Sequence, residues 1–162
     1  MVGERTPSTR DIEVWRSFLR AHATITRRLE AELLAEQQLS LASYDVLVQL
    51  AEAPGRRLRM TELADNVLLS RSGVTRLVDR LASAGLVARE RFDADGRGVV
   101  AVLTTAGLDR LRVASRTHLA GVVRHFVERL DESALEQLGS ICTRLADRAQ
   151  YEGAQYEGAR LE

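Results

Sequence analysis

The 162-residue sequence has no lysine, one cysteine and two prolines. The single thiol, Cys142, cannot close a disulfide within the chain, and there is no thiol cluster to hold a metal. No run approaches the roughly 18 apolar residues that would span a bilayer. The polar opening MVGERTPSTRD lacks the apolar stretch of a secretory signal, so the expected location is the cytoplasm, away from membranes. Aromatics amount to one Trp, three Tyr and three Phe. The core must therefore be mostly Leu, Val and Ala, which suits packed helices. Formal net charge is zero, so bulk charge announces no polyanionic partner. The sequence also lacks a GxSxG elbow, a phosphate-binding loop, a dinucleotide fingerprint and an HExxH pair. Its carboxylates are scattered over solvated helical faces. No catalytic residue, cofactor or metal site is expected.

What is present fits one compact domain, with 45% apolar and 28% charged residues. Charge is unevenly spread. Between Arg56 and Arg97 lie nine Arg against six Asp or Glu, a surplus of three; the remainder has fourteen Arg against seventeen acids, a deficit of three. A mildly basic middle with acidic flanks is compatible with a lobe that meets nucleic acid. All 23 basic residues are Arg. Codon bias in a GC-rich genome accounts for that, but arginine also forks onto phosphates and guanine edges.

A flexible arm is expected over residues 1–10. From Asp11 to about Gln38, Ile12, Trp15, Phe18, Leu19, His22, Ile25, Leu29 and Leu33 recur at spacings of three and four, the stripe of an amphipathic helix. Ser40 or Ser43 caps a second helix, which Pro54-Gly55 ends. Arg57-Leu58-Arg59 reads as a short edge strand. Thr61 is placed to cap a short helix carrying Leu63, Ala64 and Val67, and Ser70 to cap the next, whose inward positions are Val74, Leu77, Val78 and Leu81, with Gly85 at its stop. LVARERF and VVAVLT then read as antiparallel strands around the hairpin FDADGRG. Thr104 or Thr105 caps a long helix, and Asp131 caps a last one through Leu135, Leu138, Ile141 and Leu145. The tandem QYEGA units at Gln150 and Gln155 make a poor helix, and residues 150–162 are expected to be disordered.

The pattern is mainly α with a small β-wing: a helix-turn-helix and wing over about 41–104, flanked by helices over about 11–38 and 105–149. The flanking helices carry more apolar surface than a small winged unit can bury. Interleaved terminal helices of two chains would satisfy them, as would a bundle within one chain. On the helix after Ser70, removal of the inward stripe leaves Arg71, Ser72, Thr75, Arg76, Asp79 and Arg80 facing out. Short donors at Ser70, Ser72 and Thr75 allow close approach to a groove, and forked donors at Arg71, Arg76 and Arg80 reach bases and phosphates. The bland alternative is a solvated face with Asp79 paired to Arg76 or Arg80. The hairpin adds Arg97 at a ribbon tip, able to enter a minor groove, with Asp95 two residues before it to orient the guanidinium.

The run LLSRSGVTRLVDRLASAGLVARERFDADGRGVVAVLTTAG resembles the MarR family of winged helix-turn-helix regulators. Asp95-Gly96-Arg97 matches its wing signature, followed by a strand ending in Leu103-Thr104 and then Gly107. The resemblance covers about Asp11 to Ala149. It implies a homodimer on double-stranded DNA at a short inverted repeat, usually a repressor, released by a small aromatic or phenolic effector. Arg71, Thr75 and Arg76 would then meet base edges, Arg80 phosphate and Arg97 the minor groove. Trp15, Phe18, His22 and Tyr44 are candidates to line an effector crevice, although such residues also serve as core or dimer contacts. Cys142 reads as a small buried hydrophobe, and His118 and His125, seven apart on one helical face, as structural or solvated. Two other functions remain open: a winged module that binds protein without an operator, and a sensor that needs its ligand or metal in order to bind DNA.

Overall fold

The computed structural model describes residues 6–67, 71–91 and 98–146, and of Arg71 only the backbone. It separates into two units, Met1–Val122 and Val123–Glu162. The expected cap at Ser70, the tip residues Asp95 and Arg97, and the tail 150–162 lie outside the described residues.

The first unit opens with α1 (Thr9–Gln37), two residues earlier than the apolar periodicity indicates. Ser8 causes the shift: its hydroxyl accepts from the Asp11 N–H while the Asp11 carboxylate accepts from the Ser8 N–H, a capping box. The helix ends on Gln38, which takes the left-handed conformation usual for glycine (φ 49°). α2 (Leu41–Glu52) is capped by Ser40, whose hydroxyl accepts from the Ser43 N–H. The next N–H in need of a partner, that of Leu41, donates to the Glu30 carboxylate of α1, so one helix completes the capping of another.

After Pro54-Gly55 come β1 (Arg57–Arg59) and α3 (Met60–Asn66). Thr61 is not the cap of α3. The helix starts at Met60, with Glu62 reaching back to accept from the Arg59 N–H at 2.9 Å, which leaves Thr61 in the first turn. α4 (Arg71–Ser83) buries the anticipated stripe of Val74, Leu77, Val78 and Leu81. Gly85 takes a left-handed conformation (φ 73°), and the Leu86 N–H closes the helix end on the Leu81 carbonyl. β2 (Val87–Arg91) and β3 (Val99–Leu103) follow, giving an antiparallel sheet in the order β1-β3-β2 with Leu58, Ala101 and Arg89 in register across it.

The core gathers Leu33 of α1, Val46, Leu47 and Leu50 of α2, Leu63 of α3, the α4 stripe, Val87, Ala101 and Leu103 of the sheet, and Leu108, Leu111 and Ala114 of α5 (Thr105–His125). Thr104 settles where α5 begins. Its hydroxyl lies 2.8 Å from the Gly85 carbonyl and 3.0 Å from that of Leu86, and it accepts from the Gly107 N–H at 2.9 Å. α5 thus starts in contact with the α4–β2 turn.

The second unit holds the end of α5, a 3-10 turn (Val127–Arg129) and α6 (Glu132–Leu145), capped by Asp131 as anticipated. No residue of α6 is buried, and Cys142 is exposed. This corrects the expectation of a buried thiol: among the described residues, Cys142 lies on an exposed face of α6.

A methyl group at position 107 would sit 2.0 Å from the Leu86 carbonyl oxygen and 2.8 Å from Leu103 Cδ1. Backbone cannot yield as a side chain can, so Gly107→Ala should destabilise the chain by roughly 1–3 kcal/mol or more. Urea melts of the two proteins check this.

Candidate nucleic-acid interface

The buried stripe fixes what α4 shows to solvent. With Val74, Leu77 and Val78 in the core, Ser72, Thr75, Arg76, Asp79 and Arg80 are exposed along one side. The structure therefore brings together five of the outward positions, and the backbone of Arg71 stands at the start of the same helix. The Arg76 Nε–H donates to the Ser72 carbonyl one turn earlier, at 3.4 Å, which holds the guanidinium along the helix surface. An open groove of about 580 Å³ lies alongside, lined by Ala42, Gly73, Arg76, Leu77, Asp79 and Arg80.

Asp79 pairs with neither Arg76 nor Arg80. Its carboxylate takes the guanidinium of Arg89 on β2. Arg80 makes no ion pair among the described residues. Across the sheet, Arg57 of β1, opposite Val102, and Glu90 of β2, opposite Val100, pair at 2.8 Å. Sequence reasoning attached no role to Arg57, Arg89 or Glu90. The period-two alternation of VARER held the signal: it puts Arg89 on the same side of β2 as buried Val87.

The four residues considered for an effector crevice divide in two. Trp15, Phe18 and His22 form a stack along α1, with ring centroids 5.9 and 6.5 Å apart, and Trp15 and Phe18 are exposed. Tyr44 is buried. Its ring lies 4.4 Å from that of His118 on α5, and its hydroxyl donates to Ser115 at 3.3 Å. Burial lowers the His118 pKa, which disfavours the charged ring beside the tyrosine. A separate cleft of about 340 Å³ is lined by Thr26, Arg27 and Glu30 of α1, Leu41, Ala42 and Asp45 of α2, and Val67. Among the described residues no group of three His, Cys, Asp or Glu could hold a metal ion, and no helix is long and apolar enough to cross a membrane.

A short helix, a second helix with an exposed basic and hydroxyl face, and an antiparallel pair of strands behind it define a winged helix-turn-helix, here with long helices before and after it. A family model described as MarR family matches residues 37–98. The HTH-type transcriptional repressor YetL of Bacillus subtilis (strain 168) is 30% identical over 115 residues, 69% of each chain. Among solved structures, the MarR family regulator Sco3205 from Streptomyces coelicolor, in complex with DNA, is 34% identical with a TM-score of 0.82, covering 90% of this chain and 91% of its own. AbsC, another MarR family regulator from Streptomyces coelicolor, is 33% identical with a TM-score of 0.79, covering 90% of this chain and 98% of its own. The chain belongs to the MarR family of transcriptional regulators, proteins that are not enzymes.

Asp45 reports on the α1–α2 cleft. The residue is exposed and lines the cleft. Desolvation there and the nearby Glu30 carboxylate raise its pKa from 3.8 to about 6. A carboxyl that titrates higher in the folded chain costs stability once ionised; the cost is absent below 3.8 and complete above about 6. Solvent screening keeps it small. Asp45→Asn should therefore raise the urea midpoint at pH 7.5 and leave it unchanged at pH 3.5.

Proposed function

We propose that the chain binds an inverted-repeat operator in double-stranded DNA as a homodimer and represses transcription there. The observation that carries this reading is the α4 face. Its hydroxyls and guanidiniums are exposed on a helix whose opposite side is anchored in the core, and its one carboxylate is turned to β2 instead of to Arg76 or Arg80. In this reading Arg71, Thr75 and Arg76 meet base edges in the major groove, with Ser70 and Ser72 allowing the backbone close to the duplex. Arg80 holds phosphate, and Arg97, oriented by Asp95, reaches the flanking minor groove. The DNA complex of Sco3205, a relative at 34% identity, supports it, and the name of YetL supports repression.

The exposed apolar residues support the homodimer. Among the described residues all eleven large ones lie on α1, α5, the 3-10 turn after α5, or α6, and none on the elements from α2 to β3. Trp15 is 55% exposed, Leu119 59% and Leu145 72%. Apolar surface on this scale marks an interface, and a second copy supplies the same faces by two-fold symmetry. Release by a small aromatic ligand is part of the same proposal, supported by family membership. Tyr44, held between His118 and Ser115, is the effector candidate with the most enclosed setting.

Selection from a random duplex pool by the full chain should enrich a palindrome; enrichment of no sequence would overturn the operator reading. On the selected duplex at fixed salt, Arg76→Ala should weaken binding by roughly 1–3 kcal/mol, and Arg97→Ala should also lower the salt slope by about one. Phe18→Glu combined with Leu119→Glu should sediment as a folded monomer and bind the operator on the order of a hundredfold more weakly. A dimer that survives both charges would place the interface elsewhere.

A further inference from the structure

The connection between α4 and β2 is short and fastened twice. At one end the turn through Gly85 closes on the Leu81 and Ala82 carbonyls. Partway along, the Asp79 carboxylate of the helix grips the Arg89 guanidinium of the strand. A turn alone leaves the angle between a helix and the strand that follows it free to vary about one end. A second attachment, from six residues before Gly85 to four after it, restrains that angle. Asp79 is also the only acid on the exposed side of α4, set between Arg76 and Arg80. A carboxylate there opposes DNA electrostatically, so its presence needs a reason other than attraction to phosphate.

We propose that Asp79 is a positioning residue for operator binding: by holding Arg89 it sets the angle between α4 and β2, so that the helix and the hairpin carried by β2 engage one duplex together. The proposal rests on the operator reading above. It divides the charged residues of this face into two tasks. Arg76 and Arg80 are presented to DNA, while Asp79 and Arg89 are committed to each other. Arg89 is not a phosphate ligand in this arrangement, despite its charge and its place on the wing strand.

The sign of one substitution tests it. Asp79→Asn removes a negative charge from a surface facing a polyanion, so electrostatics alone predicts tighter binding to every duplex. The positioning role predicts the opposite on the operator alone. For the full chain, Asp79→Asn should weaken binding to the selected operator roughly fivefold or more, a size typical of coupled contacting residues. Binding to a scrambled duplex of the same length should stay unchanged or tighten. Arg89→Gln should weaken operator binding by a similar factor, and the double variant should be no weaker than the worse single one. Asp79→Glu, which keeps the charge, should retain operator binding within about twofold, and thermal melts should show all four variants folded at the assay temperature. Equal or tighter operator binding by Asp79→Asn would overturn the inference, as would losses that simply add in the double variant. A wild-type chain that selects no operator would overturn the operator reading first, and this inference with it.

Discussion

The winged unit depends on a place where one backbone presses against another. Gly107, in the first turn of α5, lies against the Leu86 carbonyl with no room for a methyl group. The Thr104 hydroxyl ties the same carbonyl and that of Gly85 to the start of the helix. This contact brings Leu108, Leu111 and Ala114 onto the core already formed by α2, α4 and the sheet. It also fixes the α4–β2 turn from outside. That end of α4 is therefore held at a junction with no charged group in it, and the Asp79–Arg89 pair lies farther along the helix.

A division of labour among charges is built on that frame. The middle of the chain is basic by only three residues, but its acids are largely spent on local structure. Glu62 completes the start of α3, Glu90 pairs with Arg57 across the sheet, and Asp79 pairs with Arg89. What remains on the outside of α4 is more positive than the count suggests. At the junction of α1 and α2, Glu30 serves the α2 N-terminus and its charge raises the neighbouring Asp45 carboxyl. Composition records none of this, because it depends on which carboxylate faces which N–H or guanidinium.

The order of helices and strands was legible in the sequence because periodicity and punctuation agreed. Val74, Leu77, Val78 and Leu81 at helical spacing, stopped by Gly85, could only bury one side of α4, and burying that side dictates which residues it exposes. Caps were read less well. Thr61 looked like an N-cap by type, but Glu62 reaching back to the Arg59 N–H moved the start of the helix. Ser8 extended α1 for the same kind of reason. Cys142 was misjudged because its apolar neighbours on α6 suggested burial, whereas no described residue of α6 is buried. The partner of Asp79 was missed because local spacing favours Arg76 and Arg80, whereas the strand that approaches α4 in space brings Arg89.

The exposed apolar faces bear on how the chain is made as well as on what it binds. The core of the winged unit lacks its last pieces until Leu108, Leu111 and Ala114 have been synthesised. The apolar side of α1, with Trp15 and Phe18, emerges long before that, and α6 follows it by more than a hundred residues. At about 5–20 residues per second, on the order of ten seconds pass between the synthesis of Phe18 and that of Ala114. Throughout that interval Trp15 and Phe18 face water on a growing polypeptide. The first helix is then open to chaperones and to neighbouring nascent chains on the same message for that interval.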